Sequence, residues 1–212
     1  MASQTHLSAV GVHDPLRMRS AGADLLSLAL IDARNNSLRW LAAIEPHLAG
    51  LAPLSDIDPP LWLVGHAAWF QEYWVSRNVQ RQRGDAADAS RLRLASIEPR
   101  ADDWFDPSCH DRVQRWRLTL PQPEALRHYL AETLDTTLDL LAGADDSDAG
   151  LYTFRLALRR EDIVGEALAA ARAQRGRNEA ARFLVHVVGK QVPVVRVVAH
   201  QDRQDMLARG QV

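Results

Sequence analysis

The sequence predicts an all-α fold, an antiparallel four-helix bundle with one long crossover, and three observations carry that prediction. Leucines recur at three- and four-residue steps through two long segments. Proline-led helix starts stand at Asp58-Pro59-Pro60 and at Pro123. Glycine- and proline-containing breaks separate the periodic segments at Gly50–Pro53 and Gly143–Gly150.

Residues 1–20 are polar and mixed and read as an N-terminal arm. From Asp24 to about Leu48, the positions Leu30, Arg34, Leu38, Leu41, Glu45 and Leu48 share one helical face. Asp58 reads as a capping side chain for a second helix running to about Gln82. Residues 91–120 have no clean period, contain Pro99, Pro107, Trp104 and Trp116, and read as a long ordered connection. A third helix follows Pro123, with Leu126, Leu130, Leu134, Thr137, Leu138 and Leu141 on one stripe. A fourth runs from about Leu151 to Gln174. This assigns residues 21–175 to the bundle and 176–212 to a divergent C-terminal tail. Within the tail, Phe183–Val188 and Val192–Val198 are rich in β-branched residues and predict short strands or a poorly packed extension. Pro193 would confine the second to an edge.

Composition narrows the function classes. With 212 residues, 47% of them hydrophobic, the chain has enough apolar surface for an ordinary core. A net charge of −2, with both signs interspersed, argues against nucleic acid as a partner. The single cysteine, Cys109, excludes an intramolecular disulfide and a cysteine-based zinc site. There is no run of about 18 apolar residues and no signal-like apolar stretch at the start, so no membrane span and a cytoplasmic location are expected.

Two segments carry the chemistry. In the first, Pro59–Glu72, the residues Trp62, His66 and Trp69, with Tyr73 just beyond, recur at steps of four, three and four and share a face. Gly65 beside His66 permits close approach of another element. Read from the residues alone, His66 is a core histidine bonded to a backbone carbonyl or a carboxylate. The second segment is Leu156-Ala157-Leu158-Arg159-Arg160-Glu161-Asp162-Ile163-Val164-Gly165-Glu166-Ala167-Leu168.

Together the segments resemble the DinB-like N-terminal domain of the ergothioneine-type sulfoxide synthases and their relatives, the selenoneine synthases. The likeness extends to Leu25–Asn35, Leu38-Arg39-Trp40, Trp104-Phe105-Asp106 and Arg115-Trp116, and covers about residues 22–174. Arg77-Asn78 matches a W-x-x-R-N pattern of that family. Pro107 stands where the family has a serine. The resemblance implies Fe(II)- and oxygen-dependent joining of sulfur or selenium to hercynine, with His66 at one of three iron-ligand positions. In the family the second segment reads roughly LAL-F-HED-M-HGEAL, and its two histidines complete the ligand set. Here Arg160 and Val164 occupy those two positions.

Valine has no lone pair, and arginine has donors only and stays protonated. Two unit charges about 4 Å apart repel by about 4 kcal/mol at an effective dielectric of about 20, and a dication doubles this. Asp162 lies about 200° around the helix from Arg160 and cannot take its place. Iron binding and catalysis by this chain alone are therefore not expected, and the expected partner of Arg160 is Glu161, Asp162 or a carboxylate of a neighbouring helix. Family members continue into a larger domain of the formylglycine-generating-enzyme type that supplies a catalytic tyrosine, and the residues after Gln174 do not resemble it.

Two alternatives stand beside this reading. One is a non-enzymatic bundle that binds a protein partner, a second copy or a small molecule, a small-molecule substrate being the less expected. The other is a decayed product whose tail arose by frameshift. The arginines at 77, 81, 83, 91 and 93 read as a solvated basic stretch in preference to an anion site, with Arg77 and Asn78 as candidates to brace the helix end, Cys109 as inert, and His128 as a surface or boundary residue.

Overall fold

The leucine stripes do form helices, and in a computed structural model they bury the faces the periodicity marks. The structure describes residues 14–51, 53 and 56–188, and among them there is no strand. The chain divides into two units, Met1–Ala173 and Gln174–Val212.

A short helix α1, Pro15–Met18, is capped by Asp14, whose carboxylate accepts the Leu16 amide at 3.0 Å. This places helical structure inside the segment assigned to an arm. Helix α2 spans Ala23–Ile44 and tightens into a 3₁₀ turn over Glu45–Gly50. Gly22 offers no capping side chain, and Asp146 from a distant turn accepts the Ala23 amide instead (3.2 Å).

Helix α3 spans Pro60–Gln71 and passes into a π-helical turn at Glu72–Ser76, so it ends well short of Gln82. The Arg77 amide closes that turn on the Glu72 carbonyl at 2.9 Å. Asp58 does not cap α3; its carboxylate faces Arg115 (3.0 Å) and Arg112 (3.7 Å). An arginine offers a carboxylate a stronger, charge-assisted partner than backbone amides do.

The connection from Arg77 to Gln122 is ordered, as its prolines and tryptophans suggested. It contains a 3₁₀ turn Arg81–Ala86 and the short helices α4, Ala101–Phe105, and α5, Arg112–Arg115. Gly84 has φ 59°, and a Cβ there would stand 2.9 Å from the Ala149 backbone, so only glycine suits the turn. Helix α6 spans Pro123–Ala142 and α7 spans Asp148–Val188. Two expectations fail here. The fourth helix continues past Gln174, and Phe183–Val188 is helical rather than extended. Local β-propensity is a weak preference that an already nucleated helix overrides. Val192–Val198 lies outside the described residues.

Helix α3 packs on α2, α4 and α6, and α2 packs on α6. The core has two apolar clusters. One gathers Leu41, Trp62, Val64, Phe105, Leu126, Leu130, Val164 and Leu168. The other gathers Leu26, Leu30, Val75, Leu141, Leu151, Phe154 and Leu158. Helices α2 and α7 meet the Leu26 cluster first; α3 and α6 meet the Trp62 cluster first. The long connection between α3 and α6 follows, because both helices run in the same sense and the chain must return along the molecule.

Candidate functional site: a histidine held by an arginine

Helix α3 is apolar on every side, and every residue from Trp62 to Trp69 is buried. His66, 1% exposed, lies in the middle of this run. Its ring stacks on Trp62 (centroids 4.7 Å apart, planes 9° apart) and on Trp69 (5.5 Å, 26°). Tyr73 continues the ladder at 4.9 Å from Trp69. The aromatic face read from the four-three-four spacing is therefore present. Gly65 makes room for Phe105: a Cβ there would stand 2.2 Å from that ring.

That close approach brings the α4 backbone to the histidine, and His66 Nδ1 lies 2.9 Å from the Phe105 carbonyl. A carbonyl only accepts, so Nδ1 carries the proton and the Nε2 lone pair is the acceptor. Arg160 Nε (3.0 Å) and Nη2 (2.5 Å) both donate to it. Burial, then the Arg160 charge, pushes the His66 pKa down to about 4, against a smaller opposing effect of the Phe105 carbonyl. Burial likewise lowers the pKa of Arg160, with the Asp58 charge acting the other way.

The expectation that Arg160 pairs with a carboxylate is thus corrected. Its guanidinium binds an imidazole, because the adjacent Glu161 faces another helix and is held by Arg34 (Nε–Oε1 2.7 Å, Nη2–Oε2 3.1 Å). Val164, 1% exposed, packs in the Trp62 cluster. Two further histidines, the cysteine and the remaining carboxylates of the second segment lie elsewhere. His110 Nε2 contacts the Asp103 carbonyl at 3.0 Å, and His128 is exposed beside Glu132. Cys109 is exposed, with its thiol pKa raised by desolvation. Asp162 and Glu166 are exposed.

Iron does not fit this arrangement. The Nε2 lone pair is occupied by a cation, the next position along α7 is a hydrocarbon, and a ligand set would need further N or O donors. Among the described residues, no group of three or more His, Cys, Asp or Glu side chains is placed to hold a metal ion.

Two buried polar constellations escaped the sequence reading, and a third was read only in part. Arg34 forms one with Glu161, Gln71, Thr133 Oγ1 (3.2 Å) and the Leu130 carbonyl (2.7 Å). Glu72 forms another, accepting from the Tyr129 hydroxyl (2.6 Å), Ser96 Oγ (2.8 Å) and the Ile97 amide (2.7 Å). Burial and then the Glu72 charge raise the Tyr129 pKa. The third replaces the solvated reading of Arg77 with the helix-end brace that the Arg77-Asn78 match offered. That side chain is buried, forks onto Asp102 at 2.7 and 2.8 Å, and braces the helix end by donating to the Leu94 carbonyl (2.6 Å). The hydrogen bond from Arg77 holds the Asp102 carboxyl below the usual range. One signal for the first constellation was available: Arg34 interrupts an otherwise apolar stripe between Leu30 and Leu41.

No helix among the described residues is long and apolar enough to cross a membrane. Compared with models of known families and with curated proteins, the chain finds no match.

Proposed function

We propose that this chain is a four-helix-bundle relative of the DinB-like domain of the sulfoxide and selenoneine synthases in which an arginine has replaced the iron grip. It works as a non-catalytic binding module rather than as an iron-dependent synthase. The observation that carries this reading is the double hydrogen bond from Arg160 to His66 Nε2, with His66 Nδ1 turned to the Phe105 carbonyl. Both ring nitrogens are committed, so the imidazole has no lone pair left for a metal or for proton transfer.

The order of the two core clusters along α2, α3, α6 and α7 supports the bundle, with α2 and α7 opposed to α3 and α6. The fixed cation supports the loss of metal chemistry, because it stabilises a neutral histidine and opposes a second cation.

Metal analysis of protein purified from iron-supplemented cultures tests this. The native sequence should carry no stoichiometric iron. The double substitution Arg160→His with Val164→His, which restores imidazoles at i and i+4, should gain iron(II) binding that His66→Ala abolishes. One equivalent of iron in the native protein, lost on His66→Ala, would overturn the proposal, as would chalcogen transfer to hercynine by the purified chain.

A further inference from the structure

The connection that leaves α3 and the turn that leads into α7 meet on the surface. Gly84 stands so close to Ala149 that a Cβ on it would lie 2.9 Å from the Ala149 Cα. The two segments carry opposite charge. Residues 80–94 hold four arginines against two aspartates, and residues 143–149 hold three aspartates and no basic residue. Arg83 and Arg91 are exposed on the first, and Asp145, Asp146 and Asp148 on the second. Yet the two sets do not neutralise each other within the chain. Arg91 faces Asp88 at 4.0 Å, and Asp148 faces Arg155 at 2.9 Å. Among the described residues, no ion pair joins the two segments.

Exposed hydrocarbon stands beside these charges. Leu92 is 89% exposed, Val79 61% and Leu94 54%. The Leu94 amide donates to the Arg77 carbonyl at 3.0 Å, and Arg93 Nη1 donates to the Asn78 side chain at 2.7 Å. Those bonds lay residues 92–94 alongside residues 77–79, so the three apolar side chains belong to one surface. With Ile97, this stretch holds four of the ten large apolar residues exposed among the described ones. Such a concentration marks an interaction surface, whereas scattered exposed leucines do not.

The charges select the occupant. An acidic partner would be repelled by the aspartate turn, and a basic one by the arginines. A surface that carries positive charge beside negative is its own complement under a two-fold rotation, which brings each sign onto the other twice. We propose that this surface pairs with a second copy of the chain. Arg83 and Arg91 of one copy face Asp145 and Asp148 of the other, and Leu92 and Leu94 are covered at the contact. A few apolar side chains make a reversible dimer rather than a permanent one, whose interface buries more than about 2,000 Å². The surface is separate from His66, and the proposal does not depend on the reading given above.

Sedimentation equilibrium of the full chain tests it. A reversible monomer–dimer equilibrium should appear at roughly micromolar to millimolar concentration. It should weaken as sodium chloride rises from about 0.05 to 0.5 M, because exposed charges are then screened. Leu92→Ser should weaken association at least about tenfold without changing the melting temperature. Ile163→Ser, an exposed position about 22 Å along α7 from Asp148, should leave it unchanged. Charge reversal gives the decisive arm. The double variant Arg83→Glu with Arg91→Glu should be monomeric, and so should Asp145→Lys with Asp148→Lys. Mixed together, the two should associate, because each contact between them again joins opposite signs; recovery on mixing also shows that both are folded. The proposal is overturned by a native chain that stays monomeric up to about 1 mM in low salt. It is equally overturned by association that Leu92→Ser and the arginine reversal leave intact, or by reversed variants that do not associate when mixed.

Discussion

His66 shows how one neighbouring side chain decides what a buried histidine can do. The histidine, its aromatic neighbours and its carbonyl partner are those of an oriented ligand, whose second nitrogen would face a metal. Arg160 takes that second nitrogen. The pH consequence has a definite sign. A base whose pKa falls from 6.5 to about 4 on folding binds fewer protons folded than unfolded in that window. Its contribution is complete above 6.5 and disappears as pH falls toward 4, an effect of about 3 kcal/mol in unfolding free energy. Urea unfolding between pH 4 and 7 should show this slope, and His66→Gln should flatten it. Arg160→Met removes the second of the two main causes but leaves the first, burial. A nitrogen-detected NMR titration should therefore find the His66 pKa raised yet still below 6.5. An unchanged value would mean that the guanidinium does not sit on the ring.

At the scale of the element, α3 is the helix that organises the site. Being apolar on every side, it could only be buried, and its aromatic ladder was legible from spacing alone. Its end was not legible. The periodic pattern runs on toward Gln82, but Glu72 and Arg77 find stronger partners outside the helix, and the chain leaves through a π turn. Gly65 is the other local determinant. Gly65→Ala would press a methyl group into the Phe105 ring and displace the carbonyl that orients His66. Overpacking of this kind costs about 1–3 kcal/mol, measurable by chemical denaturation, whereas a generic exposed helical Gly→Ala change is stabilising by up to about 1 kcal/mol. A stabilised Gly65→Ala protein would show that α4 does not pack there.

The core of the Met1–Ala173 unit is divided by a polar layer. Arg34, Gln71, Thr133 and Glu161 lie between the two apolar clusters, one residue from each of the four long helices. Such a layer fixes the register of the helices, since only one alignment satisfies both charges. Arg34→Met alone would strand Glu161 in the core and should cost about 3–5 kcal/mol. Adding Glu161→Leu should recover most of that loss in global unfolding, because a well-packed apolar pair replaces a buried ion pair at little net cost. Additive losses in the double variant would mean the two residues do not act as a pair.

The sequence by itself determined that the chain is helical, where α2, α3 and α6 begin, which faces they bury, and that Arg160 and Val164 offer no lone pair to a metal. These are local properties, set by proline and glycine placement, by apolar period and by the valence of single side chains. Only the tertiary structure decided what the leftover charges do. Arg160 meets His66 across 94 residues, Arg34 meets Glu161 across 127, and Arg93 meets Asn78 across 15. No spacing rule reaches across such separations. Each pairing was settled by competition in the folded core, where a guanidinium must find the best acceptor within reach or remain unsatisfied.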